Sequence, residues 1–303
     1  MLWTEKYRPE KLTDLKGQNA FVLDAYSWVD ENNMPNLILY GNCGTGKTAA
    51  SIVLAKSILK DNFNGNYIEV NASDDRRLEN VRTTIKDFAQ SVSMGDVPFR
   101  IIHLDEMDGM TSDAQNALKR IMERYANNVR FIITCNDRNK IIFALQSRCA
   151  NYNFKPLSND AMLETVNDIL KKEGITKFSQ EDLTEFIYSM NGDLRRAITE
   201  LQAAKSSKTT LRKQVETGLE EYHNILSKIT NKNSNAIQDI HDSIYGGRTM
   251  KEICNGLHDV VIASTGLDDA KKYKFLRAIG EAEWRSSTMT PKILASWLVG
   301  QLL

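Results

Sequence analysis

The fold of this chain is decided by one stretch, Gly41-Asn42-Cys43-Gly44-Thr45-Gly46-Lys47-Thr48. It follows the apolar run Leu37–Tyr40 and precedes the helical stretch Ala49–Leu59, so it lies at a strand-to-helix turn. That is the context of a phosphate-binding loop, in which glycines turn backbone amides toward a polyphosphate and the helix start adds partial positive charge. Lys47 then reaches the β- and γ-phosphates, and the Thr48 hydroxyl holds Mg²⁺. The stretch therefore predicts nucleotide binding.

The composition excludes several classes of protein. At 303 residues the chain is long enough for two or three domains. Its 39 Lys and Arg residues balance 39 Asp and Glu residues, so nucleic acid has to be contacted through a local patch. The four cysteines lie far apart without metal-binding spacing, which argues against disulfides and zinc and favours a reducing interior. No run approaches the ~18 apolar residues of a membrane span, and the first residues lack the apolar core of a signal peptide. We expect a soluble intracellular protein of the cytoplasm, nucleoid or nucleus.

Short apolar runs after the loop predict a parallel sheet. They are Tyr67–Val70, Ile101–Leu104 and Phe131–Thr134, each bounded by polar or turn residues. Helical patterns separate them, as in β-α-β units. One predicted helix has an apolar face made of Leu78, Val81, Ile85, Phe88 and Val92. Another is capped near Thr111 or Ser112.

After Phe154-Lys155-Pro156 the strand signal stops, and the rest of the chain is predicted to be helical. Three short helices are expected to begin at the N-caps Ser158, Ser179 and Asp193. The polar stretch from Ser206 to Lys208 is a candidate hinge. Further helices follow, and the last opens with Thr290 as N-cap and Pro291 at the first helical position.

Polar side chains follow two of the predicted strands at the edge where parallel sheets bind ligands. Asp105 suits Mg²⁺ coordination, and Glu106 suits polarising an attacking water. Asn136 ends the next apolar run and can orient water or sense the γ-phosphate without adding charge. This set predicts hydrolysis as well as binding. His103, in the same strand as Asp105, is interpreted as an ordinary packed residue.

Further motifs occur along the chain in a recognisable order. They are Trp3-Thr4-Glu5-Lys6-Tyr7-Arg8-Pro9 with Gly17-Gln18, Asn71-Ala72-Ser73-Asp74 with Arg76 and Val81-Arg82, Leu104-Asp105-Glu106-Met107-Asp108, Ala114 to Glu123, Ser147-Arg148-Cys149, and Gly192 to Ala197. With the phosphate-binding loop, they resemble the AAA+ ATPases, and specifically the small subunits of sliding-clamp loaders of the replication factor C type. The resemblance covers most of the chain. The chain departs from it at Asn42-Cys43, where the family usually has two prolines or similar residues.

The resemblance implies an architecture. We expect an α/β P-loop AAA+ core, with a parallel sheet and flanking helices, over residues 1–155. An all-α lid subdomain would follow over 156–206, and an all-α collar that mediates oligomerisation over 207–303. The last third matches the family only in helical character and length.

The resemblance also implies roles in the ATP site. Tyr7, Arg8 and Pro9 would line the adenine and ribose side. Arg148 resembles an arginine finger presented to the ATP of a neighbouring subunit, so one subunit alone should be a poor ATPase. Arg195 matches the arginine that contacts the γ-phosphate of its own subunit, which would draw the lid onto the sheet domain.

For DNA, the resemblance points to Arg76 and Arg82, to which we add Lys86 because it lies four residues after Arg82 on one helical face. Such residues track phosphates without reading sequence. The implied function is ATP-dependent loading of a sliding clamp onto primer-template DNA. The implied partners are a large subunit and further small subunits, in an expected pentamer, together with the clamp and the DNA. We expect the clamp to contact the surface around Phe88 to Val97.

Three alternatives stay open. In the first alternative, the chain is a non-hydrolysing structural subunit of the same assembly. Its intact Lys47, Asp105, Glu106 and Asn136 disfavour this. In the second alternative, the chain is an AAA+ DNA motor of another type, such as a helicase loader or a branch-migration helicase. The Ser-Arg-Cys motif disfavours this. Or it is a P-loop kinase of small molecules, which the helical second half disfavours.

Overall fold

The computed structural model describes residues 1–72, 78–206 and 211–302. The chain forms two compact units, Met1–Lys208 and Thr209–Leu303. The first unit contains both the predicted P-loop domain and the predicted lid. Their separation near residue 155 stays a prediction.

The first unit is built on a five-stranded parallel sheet. Its strands are β1 (Leu37–Tyr40), β2 (Tyr67–Asn71), β3 (Arg100–Asp105), β4 (Val129–Cys135) and β5 (Ala150–Asn153). They lie in the order β2-β3-β4-β1-β5, and every neighbouring pair is parallel. The four apolar runs predicted as strands are confirmed. The edge strand β5 was missed because its Ala-Asn-Tyr-Asn sequence has no apolar run.

Ten α-helices accompany this sheet in the described part of the first unit, beside four short 3-10 helices. They are α1 (Trp3–Lys6), α2 (Asn19–Asp30), α3 (Lys47–Leu59), α4 (Phe63–Asn66), α5 (Leu78–Gln90), α6 (Ser112–Arg124), α7 (Phe143–Gln146), α8 (Asn159–Lys172), α9 (Gln180–Ser189) and α10 (Leu194–Ser206). The predicted cap of α6 is confirmed, since the Thr111 hydroxyl accepts a hydrogen bond from the backbone N–H of Ala114 at 3.4 Å.

The core lies on both faces of the sheet, as a parallel sheet covered by helices requires. Successive residues of β1 point to opposite faces because the side-chain period of a strand is two. Leu37 and Leu39 pack in one cluster with residues of α2 and α3, whereas Ile38 packs in the other with residues of α5 and α6. This packing on both faces positions the ends of the strands and the loops that follow them.

The predicted apolar face of α5 is wrong at Val92. The helix ends at Gln90, and Val92 lies beyond it with 86% of its surface exposed. Ile85 is buried and Phe88 is half-buried, as the helical period predicts. The side chains of Leu78 and Val81 lie outside the described residues.

The three helices expected to form the lid begin where their caps were predicted. Ser158 accepts from the backbone N–H of Ala161 at 3.3 Å, and Ser179 accepts from that of Asp182 at 3.1 Å. The Asp193 carboxylate accepts from the N–H of Arg196 at 2.9 Å. Each cap satisfies a donor that the first turn of a helix leaves without an intrahelical partner.

The second unit is all helical where it is described. Its helices are α11 (Leu211–Thr230), α12 (Ala236–Tyr245), α13 (Met250–Ala263), α14 (Asp269–Arg285) and α15 (Pro291–Leu302). They enclose a core of their own, and α15 begins at Pro291 as predicted. The predicted hinge falls mostly outside the described residues, which include Ser206 but not Lys208. Among the described helices, none combines the length and apolar character needed to cross a membrane.

Candidate functional site

The phosphate-binding loop lies between β1 and α3, as the sequence predicts. Gly41 and Gly44 have φ values of 142° and 76°, a region that glycine adopts without steric penalty. A Cβ at Gly41 would lie 2.2 Å from the carbonyl oxygen of Phe154, and one at Gly44 would lie 2.0 Å from Oδ1 of Asp193. At Gly41 only glycine fits while the backbone stays where it is, whereas at Gly44 a Cβ would require the Asp193 side chain to move. The loop is therefore packed between the sheet and the start of α10.

Lys47 is buried at the mouth of this loop. Its ammonium donates to the carbonyl oxygens of Gly41 and Asn42, both at 2.8 Å, and to Oδ1 of Asn136 at 3.1 Å. Burial lowers the pKa of Lys47. All three acceptors are neutral, so an anionic phosphate is the stronger partner for the ammonium group. The contact also brings together two residues that the sequence predicted at one site and that follow the neighbouring strands β1 and β4.

Thr48, the residue after Lys47, contacts Asp105 at the end of β3. The Thr48 hydroxyl lies 3.2 Å from each carboxylate oxygen of Asp105, and the Thr134 hydroxyl donates to the same carboxylate. These are hard oxygen donors of the kind that Mg²⁺ prefers, and Mg²⁺ commonly takes only one or two protein ligands beside phosphate and water. The residues present thus fit the ion predicted for them. Thr134 was not predicted, because a polar residue inside an apolar run gives no sign of its partner.

Glu106 follows Asp105 in a strained backbone conformation. Its φ of 55° and ψ of 42° place it in the left-handed region, which residues other than glycine adopt rarely. Its backbone N–H donates to the Thr134 hydroxyl at 3.3 Å. Strain of this kind persists where the surrounding structure imposes it, and it concentrates at active sites. The turn sets Glu106 directly beyond the carboxylate of the predicted metal site.

His103 is packed in the core, as predicted from the sequence. It is fully buried, and its Nδ1 lies 2.9 Å from the Tyr67 hydroxyl. Burial lowers the pKa of His103 to about 4, so the ring is neutral at physiological pH.

The segment predicted to line the adenine and ribose side is tied to the lid helices. The hydroxyl of Tyr7 and the ammonium of Lys6 both donate to Oε1 of Glu173, at 2.7 and 2.6 Å. Lys205 donates to the other oxygen at 2.9 Å. We call Lys6, Tyr7, Glu173 and Lys205 the Glu173 cluster. Hydrogen bonds from Lys6, Lys205 and Tyr7 lower the pKa of Glu173 to about 2.

The neighbours of Tyr7 are less constrained. Arg8 pairs with Glu5 at 3.4 Å, and Pro9 is half-buried. Their contact with a nucleotide stays a prediction.

Arg195 is exposed in the first turn of α10. Because Asp193, the N-cap of that helix, lies against Gly44, Arg195 is only two residues from a contact with the phosphate-binding loop. The start of α10 therefore lies against the loop, and the contact of Arg195 with the γ-phosphate stays a prediction.

Arg148 lies elsewhere. It precedes β5, whose first residue, Ala150, donates to the carbonyl of Asn36 just before β1 begins. Arg148 is therefore at the edge where the strands start, whereas the phosphate-binding loop, Asp105 and Asn136 are at the edge where they end. The structure does not bring Arg148 to the site of its own chain.

The predicted DNA-binding residues are described only in part. Arg76 and the side chain of Arg82 lie outside the described residues. Lys86 is exposed on α5. The predicted role of all three stays a prediction.

A buried glutamine on α6 was also missed. The amide of Gln115 donates to the carbonyls of Met110 and Lys140, at 3.0 and 2.9 Å, and accepts from the N–H of Ile142 at 2.8 Å. It joins α6 to the segment that leads from Asn136 toward α7. Its position on the apolar side of α6, beside Leu118, was the signal in the sequence.

The loop after β1, the acidic pair at the end of β3 and the amide after β4 define a P-loop ATPase of the AAA class. Residues 37–157 match the model of the ATPase family associated with various cellular activities. The fold is similar to that of the Holliday junction branch migration motor RuvB of Thermotoga maritima. The TM-score is 0.53 at 12% identity, with 90% of this chain and 79% of that chain covered. At this identity the likeness concerns the fold alone.

Proteins similar in sequence identify the family more narrowly than the similarity in fold does. A replication factor C small subunit of Methanococcus maripaludis (strain C6) is 42% identical over 213 residues, which cover 70% of this chain and 67% of the relative. Those of Halobacterium salinarum and Methanocella arvoryzae are 36% and 37% identical, each over 94% of this chain and 90% of the relative. The chain belongs to the family of replication factor C small subunits.

Proposed function

We propose that this chain hydrolyses ATP as a small subunit of a sliding-clamp loader and uses the reaction to load a clamp onto primer-template DNA. One observation carries the hydrolytic part: Lys47, Thr48, Asp105 and Asn136 meet at one edge of the sheet, with Glu106 next to them. Similarity to replication factor C small subunits over 94% of the chain supports the role in clamp loading.

Each residue of this site has a separate role in the reaction. Thr48 and Asp105 would hold Mg²⁺, which when bound neutralises charge on the phosphates. Lys47 exchanges its carbonyl partners for phosphate oxygens, and Asn136, already 3.1 Å from Lys47, orients the γ-phosphate or the attacking water. Glu106 accepts a proton from that water.

Two arginines make the reaction depend on conformation and assembly. Arg195 contacts the γ-phosphate of its own subunit, so ATP holds the lid against the loop through α10. Arg148, at the other edge of the sheet, acts on the ATP of a neighbouring subunit. A cation presented in this way is worth ~10³ to 10⁵ in rate in comparable enzymes. The isolated chain is therefore a poor ATPase.

The remaining partners follow from the family. Arg76, Arg82 and Lys86 contact phosphates of the primer-template duplex, and several subunits sum a patch that is weak in one copy. The clamp contacts the surface around Phe88 to Val97, where Val92 and Met94 are exposed apolar side chains.

The experiment that tests this function is steady-state ATPase of the assembled complex, with and without clamp and primed DNA. We expect both ligands together to stimulate hydrolysis, and Arg148→Ala to abolish the stimulated rate without loss of ATP binding. A rate that ignores the ligands and the substitution would contradict the loader role. A Glu106→Gln subunit that hydrolyses ATP at the wild-type rate would favour a structural subunit. Branch migration or strand separation by the complex would favour another AAA+ motor.

A further inference from the structure

The guanidinium group of Arg148 is held by a carboxylate of the same chain. Its Nε and one terminal nitrogen both donate to Oε1 of Glu123, at 3.0 and 2.6 Å. Its other terminal nitrogen donates to the carbonyl of Ala144 at 2.7 Å. Glu123 lies in the last turn of α6, and Ala144 lies in α7. Residues of two helices, α6 and α7, therefore hold this guanidinium in place through hydrogen bonds.

This arrangement leaves part of the arginine available. A guanidinium has five N–H donors, and the bonds to Glu123 and Ala144 use three of them. One donor on each terminal nitrogen remains outside these bonds. The Arg148 side chain is 38% exposed and borders an open surface cleft of about 500 Å³, so a partner molecule can reach those donors.

We propose that Glu123 is a positioning residue for Arg148, which it holds in the orientation that is presented to the nucleotide of a neighbouring subunit. The inference rests on the proposed function, in which Arg148 acts in trans. A free arginine side chain samples many rotamers, and the entropy lost in ordering it when subunits assemble opposes the reaction. A side chain that is already ordered in the free subunit avoids most of that loss at the moment of reaction.

Stability alone does not account well for this contact. Glu123 and Arg148 are 47% and 38% exposed, and ion pairs of such exposure contribute little to the stability of a protein. Loss of the contact between Glu123 and Arg148 should therefore lower the rate of ATP hydrolysis and leave the melting temperature of the subunit almost unchanged. The two roles are separable by experiment.

The test compares Glu123→Ala and Glu123→Gln with wild type in the assembled complex, stimulated by clamp and primed DNA. We expect Glu123→Ala to lower kcat about tenfold, a fraction of the full effect of the arginine. The dissociation constant of ATP should not change, because each subunit binds ATP through its own loop. Glu123→Gln keeps an oxygen acceptor for both N–H groups and should stay within about twofold of wild type.

The matched control is Glu164→Ala, which removes another exposed ion pair of the first unit, with Lys16 at 3.2 Å. It should leave kcat unchanged. In the Arg148→Ala background, Glu123→Ala should cause no additional loss, because the residue it positions is gone. Size-exclusion chromatography and thermal unfolding of each variant report assembly and folding.

The outcomes separate this inference from the function it rests on. If Arg148→Ala leaves the stimulated rate unchanged, the trans role itself is wrong. If Arg148→Ala abolishes the rate but Glu123→Ala keeps the wild-type rate, only the role of Glu123 is wrong. A loss shared equally by Glu123→Ala and Glu123→Gln, together with failed assembly, also overturns it, because the defect would then be structural.

Discussion

At the scale of single residues, Gly44 lies so close to Asp193 that a Cβ on the glycine would come within 2.0 Å of the aspartate Oδ1. The glycine belongs to the phosphate-binding loop, and the aspartate caps α10, which carries Arg195. One missing Cβ thus lets the lid approach the loop. The sequence predicts each residue separately, as a loop glycine and as a helix cap. Their contact is not predictable, since 149 positions separate Gly44 from Asp193 and no local pattern links them.

Substitution of Gly44 should therefore destabilise the chain more than substitution of Gly46. Both residues have positive φ, so alanine at either position costs about 1 kcal/mol or more. Only the Cβ at Gly44 also collides with Asp193, whereas nothing lies within 4 Å of a Cβ at Gly46. Urea unfolding without nucleotide should show an additional loss of about 1 to 3 kcal/mol for Gly44→Ala.

The shorter capping residue serine at position 193 provides the control. Asp193→Ser alone should have little effect, because serine and aspartate are similar N-caps. Combined with Gly44→Ala, it should recover most of the additional loss. Strict additivity of the two substitutions would contradict the steric explanation.

The Glu173 cluster predicts a pH dependence of stability. The pKa of Glu173 is about 2 in the folded chain and 4.5 in a free side chain, because Lys6, Lys205 and Tyr7 stabilise the carboxylate. The unfolded chain therefore binds the proton more readily, so the contribution is complete above pH 4.5 and is lost as the pH falls toward 2.

Glu173→Gln should consequently be less stable than wild type at pH 7, and the difference should shrink steadily between pH 4.5 and 2. Chemical unfolding of both proteins across this range measures it. Glu164→Gln, which removes a carboxylate with a single exposed lysine partner, is the comparison and should differ little from wild type. A difference for Glu173→Gln that is constant with pH would contradict the assignment.

At the scale of elements, α5 shows that helical spacing predicts which side chains are buried but does not predict where the helix ends. The helical spacing predicts the burial of Ile85 and the partial burial of Phe88 correctly, but the same spacing places Val92 on a helix that has already ended. The carbonyls at this end of the helix are bound by Arg100, at the start of β3. Its guanidinium donates to the carbonyls of Phe88 and Ser91, at 2.5 and 3.0 Å, and lies 3.6 Å from the centre of the Phe88 ring.

Arg100→Met should for this reason lower the stability of the chain by about 2 to 4 kcal/mol. Arg100 is 6% exposed and also donates to the carbonyl of Gly65 at 2.7 Å, so methionine would leave three part-buried carbonyls without this donor. Arg100→Lys should not restore the loss, because an ammonium lacks the planar fork that reaches these acceptors together. Urea unfolding measures both variants, and a loss below about 0.5 kcal/mol for Arg100→Met would contradict this account.

The missed strand β5 has a different cause. Strands in the middle of a parallel sheet are apolar on both faces and stand out in the sequence. An edge strand is only half covered, and Ala150–Asn153 carries two asparagines. Its position is fixed by pairing with β1, from Leu37 opposite Ala150 to Tyr40 opposite Asn153. Backbone pairing of this kind leaves no residue pattern from which to predict it.

At the scale of the whole molecule, the two compact units have separate cores. Twenty-one buried residues of the second unit, from Tyr222 to Leu302, form one cluster, and the clusters of the first unit lie on the two faces of its sheet. The predicted nucleotide site, from Tyr7 to Arg195, falls entirely in the first unit. Binding of ATP and folding of the second unit should therefore be separable.

A fragment over residues 1–208 should bind ATP with the affinity of the full chain, because it contains every residue predicted to contact the nucleotide of its own subunit. A fragment over residues 209–303 should fold by itself, with a helical circular dichroism spectrum and one cooperative thermal transition, because its helices enclose their own apolar core. Calorimetric titration and thermal melts measure the two expectations. If the first fragment folds but binds ATP far more weakly than the full chain, residues of the second unit take part in the site. If the second fragment melts without cooperativity, its core depends on the rest of the chain, and the division into two units does not extend to folding.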